Sequence, residues 1–331
     1  MDFLIERAQD WDEYRAAWSA LMKNYYWYKE DPVFDWNKHE EFREMQETFN
    51  SPDYGYYWAK RNSDSKIVGV LGVSLNNEQI ALRRWEPTVA DQQGDRDVAG
   101  SLLKYVLSIA AETGKSALNV TVKYPVGTEY ADWHLNLYRK HGFSVLLQPQ
   151  AGFLMKLPSS PFVLPSVGSV WTANCDSLSE DEIAKLVVAC FTGTDEDQRI
   201  HRGHTSVTDY ATSLQMNNRL RSKEFIHSPE QWQVAIADGQ PIGVVGSLIS
   251  PNHTSPQVGV LGPVGILPAY RRRGITSLLV LSVLNALLET GCRFAAVGTP
   301  EHNYPAIRMY EKLGFNDHER LIRLRRSLKS E

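Results

Sequence analysis

The clearest pattern of hydrophobic and polar positions lies between Val264 and Gly291. An apolar run typical of a strand ends at Pro268, and three arginines then lead to Gly274. Beyond Gly274 the apolar residues recur every three or four positions, which predicts a helix with one buried face. These residues are Leu278, Leu279, Leu281, Val283, Leu284, Leu287 and Leu288. Because Gly291 stands where a helix C-cap is expected, the pattern predicts a strand, a basic loop and a helix.

The basic loop has the chemistry of an anion-binding site. The first N–H groups of a helix have no partner within it, and they lie at the positive end of its dipole. Gly274 allows a ligand to approach the backbone closely, and the three arginines carry permanent positive charge. Neither a Walker lysine pattern nor G-x-G-x-x-G occurs here. We therefore expect a phosphate-bearing ligand; the alternative is a surface arginine run before an ordinary helix.

A second motif follows downstream, where the segment from Asn303 to Phe315 reads NYPAIRMYEKLGF. It matches Asn-x-x-Ala-x-x-x-Tyr-x-x-x-Gly-Phe, and Asn303 is placed to cap a helix. The loop matches Arg/Gln-x-x-Gly-x-Gly/Ala as Arg271-x-x-Gly274-x-Thr276, with Thr276 in place of the usual small residue. In this order and spacing, the two motifs resemble the GNAT superfamily of acetyl-CoA-dependent acyltransferases. The resemblance implies acetyl-CoA as cosubstrate and an α/β (α+β) fold, with a mixed, largely antiparallel sheet flanked by helices.

The resemblance also implies where acetyl-CoA binds. The N–H of Ile266, two residues before Pro268, is expected to receive the carbonyl oxygen of the thioester. The pair Gly262-Pro263 is expected to mark the strand irregularity that frees this amide. The residues expected to bind acetyl-CoA are Val264, Ile266, Arg271, Arg272, Arg273, Gly274, Ile275, Thr276 and Asn303.

The resemblance indicates a residue for the general acid but leaves the general base open. Tyr310 matches the position of the family's general acid, and a phenol with a pKa of about 10 keeps its proton at neutral pH. Many family members carry a glutamate on the strand before the loop, but residues 258–266 contain no acid or histidine. Glu301 and His302 are the candidates for the general base, and a base acting through water is the remaining alternative.

The first half of the chain repeats the order of the second half. The pattern Tyr-x-x-x-Gly-Phe occurs twice, starting at Tyr138 and at Tyr310. An apolar helix is predicted before each occurrence of this pattern, and it ends at a glycine. The glycine is Gly114 in the first half and Gly291 in the second. This order predicts an internal duplication of one unit.

The two copies differ at the loop that is expected to bind phosphate. We predict a degenerate GNAT-like domain at 1–158, a linker rich in Pro and Ser at 159–168, and an acetyl-CoA-binding GNAT domain at 169–331. Counting back from the helix caps aligns Asp97 with Gly274, and a carboxylate there repels a pyrophosphate. We therefore expect that the first copy has lost cofactor binding.

Two segments are candidates for binding an acceptor. In GNAT proteins the loop between the first two helices of the domain helps to form the acceptor pocket. By that resemblance Asp195, Glu196 and Asp197 are placed to attract a cationic amine, although a solvated charged loop is the alternative. A helix is predicted at 207–219. Residues 24–36 are dense in aromatic side chains, which suits either a ligand groove or a contact surface between the two halves.

Composition narrows the class of protein. A chain of 331 residues suits two domains, and its formal net charge of -4 does not indicate nucleic acid or an acidic membrane as a partner. Cys175, Cys190 and Cys292 form no C-x-x-C pair, which argues against a disulfide framework or a metal site, and Cys190 is expected to pack as a small hydrophobe. No apolar run approaches the roughly 20 residues of a membrane span, and Met1 to Trp11 lacks the pattern of a signal peptide. Cytoplasmic residence is therefore predicted.

These patterns together predict an N-acetyltransferase. Its acceptor is expected to be a primary amine of a small molecule or peptide, in cationic form, and the protein is expected to be a monomer or homodimer. One alternative is a non-catalytic sensor or scaffold that binds CoA or another ligand. A less favoured alternative is an aminoacyl-tRNA-dependent transferase, since no extended basic face or coiled-coil arm is apparent.

Overall fold

The computed structural model describes residues 2–22, 40–75, 80–82, 87–89, 96–126, 130–175, 178–191, 232–249 and 258–328. The chain divides into two compact units. The first comprises Met1–Ala151 together with His318–Glu331, and the second comprises Gly152–Asp317.

The first unit consists of a sheet and four described helices. In chain order the elements are β1 (Phe3–Arg7), α1 (Trp11–Met22), α2 (Glu40–Thr48), β2 (Tyr54–Arg61), β3 (Ile67–Ser74), β4 (Ile80–Leu82), β5 (Thr88–Val89), α3 (Arg96–Glu112), β6 (Ala117–Pro125), α4 (Tyr130–Lys140), the start of β7 (Ser144–Lys156) and most of β13 (Asn316–Ser327). The strand order is β1-β2-β3-β4-β6-β13, and β5 pairs with β3. The pairing of β4 with β6 is parallel and the other registered pairs are antiparallel. The expectation of a mixed, largely antiparallel sheet is confirmed.

Both faces of this sheet are covered by helices. Successive side chains of a strand point to opposite faces, and Tyr57 and Ala59 of β2 belong to the core cluster that contains α3. Tyr56 and Trp58 belong instead to a cluster with Trp18 of α1. The sheet of the first unit therefore separates two apolar cores.

The second unit has the same type of architecture. It contains the end of β7, then β8 (Trp171–Asn174), α5 (Glu180–Phe191), β9 (Gln233–Ala237), β10 (Gln240–Ile249), β11 (Val258–Ile266), α6 (Ile275–Glu289), β12 (Phe294–Pro300) and α7 (Tyr304–Lys312). The strand order is β7-β12-β11-β10-β9-β8. Strands β8 to β11 pair antiparallel, whereas β11 and β12 are parallel. None of the described helices of either unit is both long and apolar enough to span a membrane.

Local sequence signals position the elements of the second unit. The side chain of Ser179 accepts a bond from the N–H of Glu182 at 3.2 Å, and Glu182 accepts one from the N–H of Ser179 at 2.8 Å. These reciprocal bonds form a capping box at the start of α5 and hold the pKa of Glu182 below its usual value. The hairpin of β9 and β10 turns at Asp238 and Gly239, whose φ angles are 50° and 75°.

The limits of the structural units differ from the sequence boundaries at 1–158 and 169–331. The sequence boundaries follow the internal repeat and the linker composition, whereas the structural units follow backbone pairing. Most of β13 pairs with β6, from Glu319↔Pro125 to Ser327↔Ala117, and so belongs to the first unit. The limits of the duplicated sequence units themselves remain a prediction.

Three sequence predictions concern residues outside the described ranges. They are the aromatic segment at 24–36, the acidic residues Asp195, Glu196 and Asp197, and the helix at 207–219.

Candidate functional site

Strand β11 loses one of its neighbours part of the way along its length. Its parallel pairing with β12 runs as far as Leu261↔Val297, and the described residues after this pair have no further register. The register against β10 also shifts there, leaving Gly262 and Pro263 opposite a single residue of β10. The expected irregularity at Gly262-Pro263 is therefore present.

The backbone of Ile266 points away from β10. Ile266 lies opposite Gly243, and the next N–H, that of Leu267, donates to the carbonyl of Ile242 at 2.9 Å. Because successive N–H groups of a strand point to opposite edges, the N–H of Ile266 faces the edge where pairing with β12 has ended. An amide in this position can receive a ligand oxygen.

The basic loop ends in an uncapped helix N-terminus. A short 3-10 turn, Pro268–Tyr270, follows β11, and the N-cap of α6 is Gly274, with φ 82° and no side-chain cap bond. Arg272 also has a positive φ of 61°, which is rare for a residue with a side chain. The amides of this turn are therefore shaped for an anion, as expected from the sequence.

A cavity of about 1240 Å³ lies against this loop. Its walls come from the end of α5, the end of β11, the start of α6 and one face of α7. Among the residues that the structure describes, the lining includes five arginine and lysine side chains and no aspartate or glutamate. The cations are Arg271, Arg272, Arg273, Arg308 and Lys312.

Tyr310 reaches the cavity from α7. Its side chain is only 3% exposed and lies among the lining residues. The ring meets Phe315 edge-on and tilts against Phe153, with ring centroids 5.8 Å and 5.9 Å away. Packing on two sides therefore holds the phenol in one place.

The residues before α7 order the other side of the cavity. The side-chain oxygen of Asn303 accepts a bond from the N–H of Ala306 at 3.4 Å, so the predicted helix cap is confirmed. The amide nitrogen of Asn303 donates to the hydroxyl of Thr299 at 3.0 Å. Of the two candidate bases, His302 lines the cavity, whereas Glu301 is exposed and is not among the lining residues.

The structure brings most of the sequence-predicted residues to this one cavity. The lining residues named from the sequence are Val264, Ile266, Arg271, Arg272, Arg273, Gly274, Thr276, His302, Asn303 and Tyr310. Ile275 is not among them, because its side chain packs inward with 2% exposure. Arg308 and Lys312 were missed. Their spacing of one helical turn was the signal that could have found them.

Cys190 is packed as the sequence predicted. It is 2% exposed, belongs to an apolar cluster with Val187 and Trp232, and touches the cavity beside Phe191. Burial raises the pKa of its thiol to about 12, against an opposing effect of Arg271. A thiol that stays protonated in this way is a poor nucleophile.

Sequence comparison identifies a family and several relatives that match part of the chain. The Acetyltransferase (GNAT) family matches residues 185–315. Aminoglycoside N(6′)-acetyltransferase type 1 of Salmonella typhimurium is 32% identical over 94 residues, which are 27% of this chain and 64% of that protein. Glucosamine 6-phosphate N-acetyltransferase of Trypanosoma brucei brucei is 30% identical over 105 residues, 31% of this chain and 64% of that protein. The match thus spans less than two thirds of the length of these relatives.

Solved structures share the fold over nearly the whole chain. The GCN5-related N-acetyltransferase from Sphaerobacter thermophilus superposes with a TM-score of 0.66 and 15% identity, covering 99% of this chain and 96% of that one. A tandem GNAT protein from the clavulanic acid biosynthesis pathway superposes with a TM-score of 0.57 and 15% identity, covering 99% of both chains. The splayed strand, the basic loop, the capped α7 and these similarities lead to one conclusion: residues 185–315 form an acetyltransferase domain of the GNAT family.

Proposed function

We propose that the second unit is an N-acetyltransferase that binds acetyl-CoA in the cavity beside α6 and transfers the acetyl group to an amine. One observation carries the proposal. The same cavity brings together an uncapped helix N-terminus, an amide on the freed edge of β11 and a buried phenol. The similar proteins include enzymes named for acetylating an aminoglycoside and glucosamine 6-phosphate, which suits an amine acceptor here.

The residues of the loop fit the phosphates of acetyl-CoA. The amides from Arg272 to Thr276 form the uncapped turn, and Gly274 has no side chain that would separate a phosphate from them. Arg272 and Arg273 on the loop and Arg308 and Lys312 on α7 add positive charge around the same cavity. No carboxylate among the described lining residues opposes this charge.

Three groups of the chain then have distinct tasks in the transfer. Acetyl-CoA supplies the acetyl group as a thioester. The N–H of Ile266 holds the carbonyl oxygen and stabilises the negative charge that develops on it, an effect on the order of 3 kcal/mol for a preformed donor. The hydroxyl of Tyr310 holds the proton that goes to the departing sulfur. His302 takes the proton of the attacking amine, since it lies at the cavity and Glu301 does not.

Release of free thiol from acetyl-CoA tests the proposal. The full-length protein is mixed with acetyl-CoA and with members of three amine classes: aminoglycosides, amino sugars and peptides with a free α-amine. We expect thiol release that depends on one of these classes and exceeds the rate without amine. Acetyl-CoA binding that never leads to amine-dependent release would instead favour a sensor or scaffold. Absence of binding would disprove the cofactor assignment.

A further inference from the structure

The guanidinium of Arg271, an exposed residue, donates to two backbone carbonyls through part-buried hydrogen bonds. Its Nε donates to the carbonyl of Ile266 at 3.2 Å, and its Nη2 donates to the carbonyl of Cys190 at 2.8 Å. Ile266 is the last residue of β11, and Cys190 is the last but one of α5. The final carbonyls of a helix lack intrahelical partners and lie at the negative end of its dipole, which suits a permanent cation. One side chain therefore connects the ends of two elements.

The end of α5 packs closely against the end of β11. A Cβ added to Gly265 would come within 2.7 Å of the Cβ of Cys190 and within 3.0 Å of the ring of Phe191. The end of α5 therefore lies directly against β11, one residue before the amide that faces the freed edge. We call this contact between the end of α5 and the end of β11 the joint. It forms one wall of the cavity, which is lined by Cys190, Phe191 and Gly265.

The neighbouring arginines behave differently. Arg273 donates to the carbonyl of Ala269 at 3.0 Å and lies 5.3 Å from the ring centroid of Tyr270, so its contacts stay within the loop. Arg272, which is exposed like Arg271, has a positive φ of 61°. Neither reaches α5 through a contact of this kind. The three consecutive arginines thus divide into one that joins two elements and two that stay with the loop.

We propose that Arg271 is a positioning residue: its guanidinium ties the end of α5 to the end of β11 and holds the cavity wall beside the Ile266 amide. This inference rests on the proposed function for its effect on turnover, but not for its effect on the joint itself. Replacing Arg271 leaves the carbonyls of Cys190 and Ile266 without this donor and loosens α5 from Gly265. Turnover falls because the Ile266 amide is less well placed, while the loop amides that bind phosphate are retained.

The geometry also distinguishes Arg271→Lys from Arg271→Gln. A planar guanidinium presents several N–H groups in a fixed fork and can reach two carbonyls at once, whereas the ammonium of lysine is a compact point charge on a flexible four-carbon stem. Lysine keeps the charge that a phosphate ligand would need, but does not keep both bonds. If Arg271 binds a phosphate, Arg271→Lys should therefore restore function in full. If Arg271 positions α5 and β11, Arg271→Lys should restore only part of it.

The first experiment measures the joint without using activity. The full-length protein is alkylated with a small maleimide under native conditions, and labelling of the peptides that contain Cys190 and Cys292 is followed by mass spectrometry. Loss of charge-assisted hydrogen bonds corresponds to an increase in local opening of about tenfold or more, so Arg271→Gln should label faster at Cys190 by that factor. Arg273→Gln should label like the wild type. Unchanged labelling of the buried Cys292 is the check that the rest of the unit remains folded.

The second experiment separates binding from turnover. Calorimetry with CoA should give an affinity within about twofold of the wild type for Arg271→Gln, whereas kcat with the accepted amine should fall about tenfold or more. Arg271→Lys should recover only part of kcat. Arg272→Gln and Arg273→Gln should weaken CoA binding in a salt-dependent way.

Two results would overturn the proposal. One is labelling of Cys190 in Arg271→Gln at the wild-type rate. The other is a loss of CoA affinity that Arg271→Lys restores in full, which would make Arg271 a phosphate ligand. A wild-type protein without transferase activity would disprove the proposed function, yet the labelling experiment would still decide the role of Arg271.

Discussion

The ring of Tyr310 meets the ring of Phe315 edge-on, with centroids 5.8 Å apart and planes inclined at 67°. Tyr138 meets Phe143 in the first unit with almost the same geometry, at 5.3 Å and 64°. In both units the phenylalanine N–H donates to the tyrosine carbonyl, at 3.0 Å and 3.1 Å. The motif therefore packs the end of a helix in both units, but Tyr310 also lines the cavity and Tyr138 lies in the core.

Tyr310→Phe should lower kcat by about 100-fold, because it removes the proton donor and leaves the ring contacts with Phe315 and Phe153 intact. CoA affinity by calorimetry should stay within about twofold of the wild-type value. Tyr138→Phe is the matched control, since it makes the same chemical change in the equivalent motif and should leave kcat unchanged. If Tyr310→Phe turned over at the wild-type rate at every pH tested, Tyr310 would have only its packing role.

Gly274 and Gly291 allow a comparison within one helix. They stand at the two ends of α6 with φ of 82° and 88°, and an added Cβ would meet no atom closer than 4.0 Å at either position. Alanine should therefore cost about 1 kcal/mol of folding stability at each site. Only Gly274→Asp should also weaken CoA binding, by on the order of 3 kcal/mol, because its carboxylate would face the phosphates.

Calorimetry measures the CoA affinity of each variant, and urea unfolding of the same samples measures its folding stability. Gly291→Asp serves as the control for charge and backbone strain away from the cavity. Equal CoA affinity for Gly274→Asp and Gly291→Asp would show that the phosphates do not bind at the start of α6.

Arg308 and Lys312 should recognise the 3′-phosphate of CoA. They lie one turn apart on α7 and line the cavity that the loop closes on another side, and the loop amides can serve the pyrophosphate. The double substitution Arg308→Gln and Lys312→Gln should weaken CoA about tenfold or more, and should change dephospho-CoA affinity much less.

The control for this change is Lys185→Gln, which removes one exposed cation from α5, where it pairs with Asp181 away from the cavity lining. It should leave both affinities unchanged. A loss of equal size for CoA and dephospho-CoA would place the role of Arg308 and Lys312 elsewhere on the ligand.

His134 should make the stability of the protein sensitive to acid. It is fully buried in the first unit, with Nε2 3.3 Å from the carbonyl of Pro87. Burial lowers the pKa of His134 to about 3, against the opposing effect of the bond to Pro87. The folded state thus favours neutral His134, whereas an unfolded histidine titrates near about pH 6.5. The contribution of neutral His134 to the free energy of unfolding is complete above about pH 6.5. It is lost as the pH falls towards 3, by at most about 1.4 kcal/mol per pH unit.

Urea unfolding at pH 7, 6, 5 and 4 measures this effect. His134→Gln keeps a donor for the carbonyl of Pro87 and removes the titration, so its free energy of unfolding should fall less steeply with pH than that of the wild type. His134→Phe should have the same shallow slope at a lower overall stability, because it also loses the bond. Parallel slopes for the wild type and His134→Gln would contradict the effect.

One CoA should bind per chain, because the carboxylate of Asp97 lies in the first turn of α3, whereas the N-cap of α6 is Gly274, and a carboxylate there would repel the phosphates. The fragment 169–331 should be poorly soluble or nearly inactive. It lacks residues 152–168 of the second unit and keeps the whole of β13, whose pairing partner β6 it has lost. Unpaired strand edges of this kind promote aggregation.

The fragment 152–317 is the matched comparison, because it follows the structural unit and should be more soluble than 169–331. Titration calorimetry of the full chain gives the number of CoA sites. Two equivalents per chain, or a soluble fragment 169–331 with full activity, would contradict these expectations.

Much of the site could be predicted from the sequence, because its elements are specified by residues close together in the chain. The periodicity from Val264 to Gly291 is a property of one strand, one loop and one helix, so Gly274 could be named as the residue at the helix start. The cap at Asn303 and the position of Tyr310 follow from spacing within one helix. The hairpin at Asp238 follows in the same way from its turn residues.

The tertiary structure decided what depends on contacts between distant segments. Arg271 donates to the carbonyl of Cys190, 81 positions away, and no local pattern indicates this partner. The direction of the Ile266 amide depends on which strands pair beside it, and only the folded chain shows that His302 lies at the cavity whereas Glu301 does not. Local periodicity specifies which face of an element is buried, but the partner of a backbone edge or a side chain is set only when remote parts of the chain come together.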